Sequence, residues 1–283
     1  MSLKDAINDA AGLQDRAVEG VAEHLMRQAE AVDRELRLAR HAKQRLMPNT
    51  LPEVPGLRTG VLDRPAHYVG GDGVMGAVMP DGRMLTVLFD APGHGLAAAF
   101  SGLLMQKLIG DQLHTLLRKR QAAGEPPTQT AALLNELMVG INAAAMRPRV
   151  SPLGYPTAVA AVVEPSTGRA TLLCAGHPPP LLLRRDGTLE RPDTTGRMLG
   201  LLDSWQGDAA EACLGPGDRL LLVTDGVEEA LSGDWASRLA AAYAASGCDP
   251  GERAAAALLD AEAGSLERVD DVTVVRLERP PST

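Results

Sequence analysis

Four acidic positions lie where apolar runs begin or end. Asp72 sits in "YVGGDG", Asp90 closes "MLTVLFD", Asp225 follows "RLLLV" in "LVTDGVEEA", and Asp270 with Asp271 precedes "VTVV" in "RVDDVTVV". A carboxylate at the end of a buried strand is costly unless something cationic meets it. Any one of them could cap a helix or close an Asx turn. Gathered on a fold whose strands converge, they would repel one another and drift toward protonation unless a polyvalent cation sat among them. Mg²⁺ and Mn²⁺ are the hard ions that want such oxygen donors, keeping several waters as well. Two such ions ~3.5–4 Å apart would polarise a bridging water into hydroxide and clamp a phosphoryl oxygen. The neighbouring glycines fit, because a backbone carbonyl can ligate only where no side chain crowds the approach.

Other reactive residues give weaker signals. His94, in "DAPGHG", could orient a metal-bound water or protonate a leaving serine oxygen, or it could simply tie down a helix start. His177, in "CAGHPPPLLL", stands in a proline-stiffened turn where an imidazole is expected to satisfy backbone groups. Cys213 and Arg219 have the Cys-x5-Arg spacing of cysteine-dependent phosphatases. There, however, Pro216 deletes a backbone donor, Asp218 would repel phosphate, and "RLLLVTD" reads as a strand where a helix N-terminus is needed. Gly70-Gly71-Asp72-Gly73 lacks the Lys-Ser/Thr of a phosphate-binding loop.

These residues need a scaffold. With 283 residues, 45% hydrophobic and 23% charged, the chain can bury one large core or a core plus an appendage. A net charge of −8 excludes a general nucleic-acid binder. No apolar segment approaches a membrane span, and residues 1–30 carry acids where a signal peptide would be apolar, so a cytoplasmic protein without membrane insertion is expected. Cys174, Cys213 and Cys248 form no Cys-x-x-Cys pair, which leaves any metal to oxygen or histidine. Residues 1–47 contain no proline and two glycines, and Val18, Leu25, Val32, Ala39 and Leu46 repeat every seven residues, with Ala22, Ala29 and Leu36 four further on. That seam predicts a helix that couples or dimerises. "MPNTLPEVPG" then ends it, giving a division at 1–47 and 48–283. Downstream, "VMGAVM" and "MLTVLFD", "TAVAAVVE" and "ATLLCAG", and "PLLLRR" and "TLERP" flank glycine turns as hairpins. Helices are expected near 94–119, 129–147, 235–246 and 251–263, and "DVTVVRL" as a closing strand. The pattern predicts an α+β fold with mainly antiparallel sheets.

From Gln44 onward the chain resembles the SpoIIE/RsbU-type branch of the metal-dependent (PPM, type 2C) protein phosphatase family. The motifs run in family order: "QRLMPNTLPEVPGL", "VGGDG", "FDAPGHGLAAAF", "GYPTAVAAVVEPSTGRATLLCAGHPPPLLL", "GRMLGLL", "GPGDRLLLVTDGVEEA" and "DDVTVV". Two stretches depart from it: Gly73-Val74-Met75-Gly76 replaces the usual aromatic and acidic residues, and Ala91-Pro92 replaces a pair such as Val-Ser. The resemblance implies an αββα sandwich with two Mn²⁺ or Mg²⁺ ions at one end of its sheets. Asp90 would bridge both ions and the carbonyl of Ala91 would reach one. Asp225 and Asp270 would hold the other, and Asp72 would contact the site directly or through water. Gly73, Gly226 and Asp271 would support those ligands. The implied reaction is hydrolysis of phosphoserine or phosphothreonine on a regulatory protein resembling an anti-anti-sigma factor, through a metal-activated water. The alternative is a catalytically weak relative acting by partner binding; its mark, loss of metal carboxylates, is absent from this sequence.

Overall fold

The computed structural model describes residues 3–93, 95–123, 129–147, 154–231, 233–245, 251–263 and 270–281, with side chains from residue 24 except at 123, 262 and 263. Its contacts divide the chain into residues 1–42 and 43–283. The first unit belongs to a single helix, α1 (Leu3–Leu46), uninterrupted because nothing in it breaks a helix. Of the large seam residues whose side chains are described, Leu25, Val32 and Leu46 are more than half exposed. No described helix is long and apolar enough to cross a membrane.

The second unit contains β1 (Arg58–Arg64), β2 (Gly73–Val78), β3 (Met84–Asp90), α2 (Gly95–Ala123), α3 (Thr130–Ala145), β4 (Thr157–Val163) and β5 (Arg169–Ala175). It continues through β6 (Leu181–Leu183), β7 (Leu189–Glu190), β8 (Thr195–Gly196), β9 (Gly207–Asp208), β10 (Ala210–Cys213) and β11 (Arg219–Val223), then α4 (Gly226–Ala230), α5 (Trp235–Ala245), α6 (Glu252–Ala263) and β12 (Val272–Glu278). One sheet runs β1-β12-β11-β6-β7 and the other β10-β5-β4-β3-β2, with every named pair antiparallel.

Alternation along the strands explains the layering. In β3, Leu85, Val87 and Phe89 pack toward α2 and α3, whereas Met84 and Leu88 face the other sheet. In β11, Leu220 and Leu222 face the gap between sheets, while Leu221 and Val223 pack beneath α5 and α6. Both faces of both sheets are therefore covered, which is why these strands read as continuous apolar runs although they are antiparallel. The result is the αββα sandwich, with α2 and α3 on one side and α4, α5 and α6 on the other. The hairpin turns follow their glycines: Gly82, Gly168 and Gly187 adopt φ of 85°, 80° and 91°.

Candidate functional site

The strand ends carrying the acids meet at one edge of the sandwich. Asp72 precedes β2 and Asp90 ends β3, and the ladder pairs Gly73 with Phe89, so both lie at the same end of that sheet. Asp225 follows β11 and Asp271 precedes β12, and pairing of Val223 with Val274 brings those two ends together in the other sheet. Side chains then join the sheets. Asp72 Oδ2 accepts hydrogen bonds from the hydroxyls of Thr224 at 3.0 Å and Thr273 at 2.7 Å. The Thr273 amide in turn donates to Thr224 Oγ1 at 2.9 Å. Asp271 reaches the other way, its Oδ2 accepting from the Gly71 amide at 2.6 Å and its Oδ1 from the Ala66 amide at 2.8 Å. Asp270 Oδ1 accepts from the Asp271 amide at 2.8 Å.

The approach is close enough to demand glycine. A Cβ at Gly71 would stand 2.3 Å from the Ala91 carbonyl oxygen, and one at Gly226 would stand 2.0 Å from the Asp271 carbonyl oxygen. Gly73 opens β2 beside the Phe89 ring. Ala91 is fully buried, so its carbonyl is fixed beside the Asp72 loop.

Charge tells the same story as distance. Burial pushes the Asp90 carboxyl up to about 7, helped by the negative charges of Asp225, Asp270 and Asp271. Burial, then Asp90, holds Asp72 well above the usual carboxylate range, against the pull of its two threonine donors. Glu229, on α4, is raised by partial desolvation and by Asp270 and Asp225. One cation answers part of this: Lys43, in the last turn of α1 and within the second unit, donates from Nζ to the carbonyls of Gly70 and Asp72. Its own pKa is lowered by burial, despite Asp63, Asp271 and Asp72 nearby.

Among the described residues, no three His, Cys, Asp or Glu side chains are drawn tightly enough to grip an ion by themselves. The donor set nevertheless fits a hard divalent cation. All the groups are oxygen, two of the carboxyls are held protonation-prone by burial and then by like charge, and Mg²⁺-type sites typically use one or two carboxylates with water completing the shell. The negative charges of Asp225, Asp270 and Asp271 act on Asp90, and a cation among them would offset that repulsion.

The remaining sequence candidates fall out differently. His94 lies outside the described residues; Gly93 and Gly95 on either side have φ of 97° and 71°. His177 Nδ1 is hydrogen-bonded to a side chain, Thr157 Oγ1 at 2.8 Å, the Val223 backbone carbonyl acts on the ring, and Nε2 has no hydrogen-bond partner among the described residues. Cys213 is exposed and ends β10, while Arg219 opens β11 and pairs with Glu278. Asp218, between them, takes the Gly215 and Arg185 amides and Arg184, so that loop grips its own carboxylate and has no cradle for phosphate. Gly70–Gly73 leads into a strand, which rules out a phosphate-binding helix start there. Sequence reasoning missed Thr224, Thr273, Glu229 and Lys43. Thr224 directly precedes Asp225 after β11 and Thr273 lies two residues beyond Asp271 in β12, and a hydroxyl beside a candidate ligand is a signal that could have found them.

The family described as Stage II sporulation protein E (SpoIIE) matches residues 80–280. Protein IcfG of Synechocystis sp. is 24% identical over 210 residues, covering 70% of this chain and 33% of that protein. This chain thus spans about a third of the length of that curated relative. The RsbU and RsbW domains of Rv1364c from Mycobacterium tuberculosis superpose with a TM-score of 0.64 at 24% identity, over 84% of this chain and 64% of that one. The catalytic domain of the serine threonine protein phosphatase PstP in complex with two manganese ions gives a TM-score of 0.56 at 22% identity, over 78% of this chain and 97% of that one.

Proposed function

The chain belongs to the Stage II sporulation protein E (SpoIIE) family, and from that premise we propose that it is a metal-dependent protein serine/threonine phosphatase. The observation that carries the reading is the meeting of Asp72, Asp90, Asp225 and Asp270 at one edge of the sandwich, with the Asp90 carboxyl pushed up to about 7 by burial and its acidic neighbours. Support also comes from PstP, whose similar fold is recorded with two manganese ions.

In this proposal Asp90, the Ala91 carbonyl, Asp225 and Asp270 hold two Mn²⁺ or Mg²⁺ ions, with Asp72 at their margin. Such ions supply a nucleophile at neutral pH and offset charge on the phosphoryl oxygens. The chain's own groups do the positioning. Thr224 and Thr273 hold the Asp72 carboxylate in one orientation and favour its charged form. Asp271 fixes the Gly70–Asp72 loop through the Gly71 amide. Gly226 leaves space for the Asp271 backbone to pack against the start of α4. His94 is assigned the proton for the departing serine oxygen.

The substrate proposed is a phosphorylated regulatory protein of the anti-anti-sigma-factor kind, supported by the likeness to an RsbU domain. The proposed division of labour gives residues 1–47 to coupling or dimerisation and 48–283 to phosphate hydrolysis. Dimerisation through the helix is supported by the exposed Leu25 and Val32 of the heptad seam. A truncation beginning at Gln44 should then run as a monomer in sedimentation while the full chain runs as a dimer. For the enzyme itself, hydrolysis of a phosphoserine protein and of p-nitrophenyl phosphate should require Mn²⁺ and stop with EDTA. Partner binding without turnover at any Mn²⁺ concentration would replace the enzyme with a binding protein.

A further inference from the structure

One buried imidazole has no part in the site described above. β5 ends in one sheet and β6 begins in the other, so Gly176–Pro180 is the crossover between them. Gly176 makes the turn with φ of 66°, its amide donating to the Gly196 carbonyl at 2.8 Å, and Pro178, Pro179 and Pro180 stiffen the path into β6. His177 is held between these constraints, 7% exposed. On one side its Nδ1 is hydrogen-bonded to Thr157 Oγ1. Thr157 is the direct cross-strand partner of Asp90. On the other side the ring meets the Val223 carbonyl, which favours its protonated form, although burial dominates and pushes the ring down to about 3. Val223 ends β11, two residues before Asp225. The carbonyl lies near the ring without completing a hydrogen bond, since Nε2 has no partner among the described residues.

The ring thus stands between groups of different sheets, the Thr157 hydroxyl beside Asp90 and the Val223 carbonyl shortly before Asp225.

We propose that His177 is a positioning residue: at the crossover between the sheets, it sets the Asp90 end of one against the Asp225 end of the other. The proposal rests on the metal-site reading above. The ring is hydrogen-bonded through Nδ1 to the Thr157 hydroxyl and stands beside the Val223 carbonyl, so it touches the chain next to one proposed ligand and close before another. Gly176 permits the turn, and the three prolines that follow stiffen it. Its effect is on the separation of two carboxylates that belong to different sheets, a separation no backbone ladder fixes.

The test is titration of the full chain with MnCl₂ by calorimetry, alongside thermal melting and turnover, for the wild type, His177→Leu, Thr157→Val and the double variant. The wild type decides the underlying reading first: if it takes up no Mn²⁺, the metal site fails and the role of His177 falls with it. If it binds Mn²⁺, His177→Leu should bind roughly tenfold more weakly, the size of effect seen for groups that orient metal ligands. Thr157→Val, nearly isosteric, should weaken binding in the same direction by about threefold, and keeps the test alive if the leucine variant does not fold. The double variant should bind no worse than His177→Leu, because both changes cut one linkage. Wild-type Mn²⁺ affinity in either single variant, whatever its melting temperature, would overturn the proposal and leave His177 as packing.

Discussion

The two ends of the β11–β12 ladder handle buried charge in opposite ways. At one end Arg219 opens β11 opposite Glu278, the last residue of β12. Arg276 donates to Glu252 and Glu278 at 2.7 Å each, and Arg219 reaches Glu278 at 3.3 Å and the Tyr243 carbonyl. With Arg58 also 3.8 Å from Glu278, three guanidinium groups meet two carboxylates, and the acids here are answered from within the chain. Roughly 20 Å along the same strands, at ~3.3 Å per residue, the other end gathers Asp72, Asp90, Asp225, Asp270 and Asp271, with Lys43 donating to the carbonyls of that loop. Charge buried for structure arrives with its partner already in the chain, whereas charge buried for chemistry is left to be completed from outside.

The severest challenge to this contrast is Asp90→Asn, which removes charge with almost no change of volume. Turnover should fall by at least about a thousandfold, since losing metal-assisted charge stabilisation is worth several kcal/mol. Without metal, the same variant should melt at a higher temperature than the wild type at pH 8, because a repelled carboxylate has been neutralised. Near-native turnover would remove Asp90 from the site. At the opposite end, Arg276→Met should cost about 3 kcal/mol of stability by taking a partner from the buried Glu278 and the part-buried Glu252. It should leave Mn²⁺ affinity unchanged at temperatures where the protein is folded. An equal loss of Mn²⁺ binding would show that the two ends are not independent.

The contrast also has a pH signature. Asp90 is raised from an ordinary value of 3.8 to about 7, and Asp72 is raised with it. For a carboxyl whose folded pKa lies above its unfolded one, the stabilising contribution is fully present below the unfolded value, near 4. It is lost as pH rises through about 7. The metal-free protein should thus show a higher urea midpoint at pH 5.5 than at pH 8. MnCl₂ should raise the midpoint at pH 8 far more than at pH 5.5. A flat profile in the metal-free state would contradict the acidic cluster directly.

Legibility in the sequence differs between the two ends. The acids declare themselves because each interrupts an apolar run beside a glycine or another acid, and the hairpins that carry Asp90 are marked by turn glycines. The paired end is silent: Arg219, Arg276 and Glu278 look like ordinary surface charges within strand patterns. β1, with its sequence RTGVLDR, is equally hard to read, since an edge strand half open to water shows little alternation. It pairs along its whole length with β12, more than two hundred residues away. β10, lying on the other sheet's edge with every second residue exposed, escapes notice for the same reason. Sheet order is set by such distant pairings, and no local period encodes them. Lys43 is invisible for a related cause. A lysine in a polar helix gives no sign that its ammonium will be buried on the carbonyls flanking Gly71.

The finest test separates the carboxylate from the groups that hold it. Thr273→Val is nearly isosteric and deletes one of two hydroxyls on Asp72 Oδ2, leaving the Thr224 hydroxyl and the Thr273 backbone bond to Thr224 in place. The stability cost should be small, about 1 kcal/mol. The informative change is electrostatic. Both hydroxyls favour the charged form of Asp72, so losing one raises its pKa further, and Mn²⁺ must then displace a more tightly held proton. The pH at which Mn²⁺ binding is half-maximal should move upward, while affinity on the alkaline plateau stays nearly that of the wild type. An affinity loss independent of pH would mean that Thr273 shapes the pocket, and that Asp72 needs no help to stay charged.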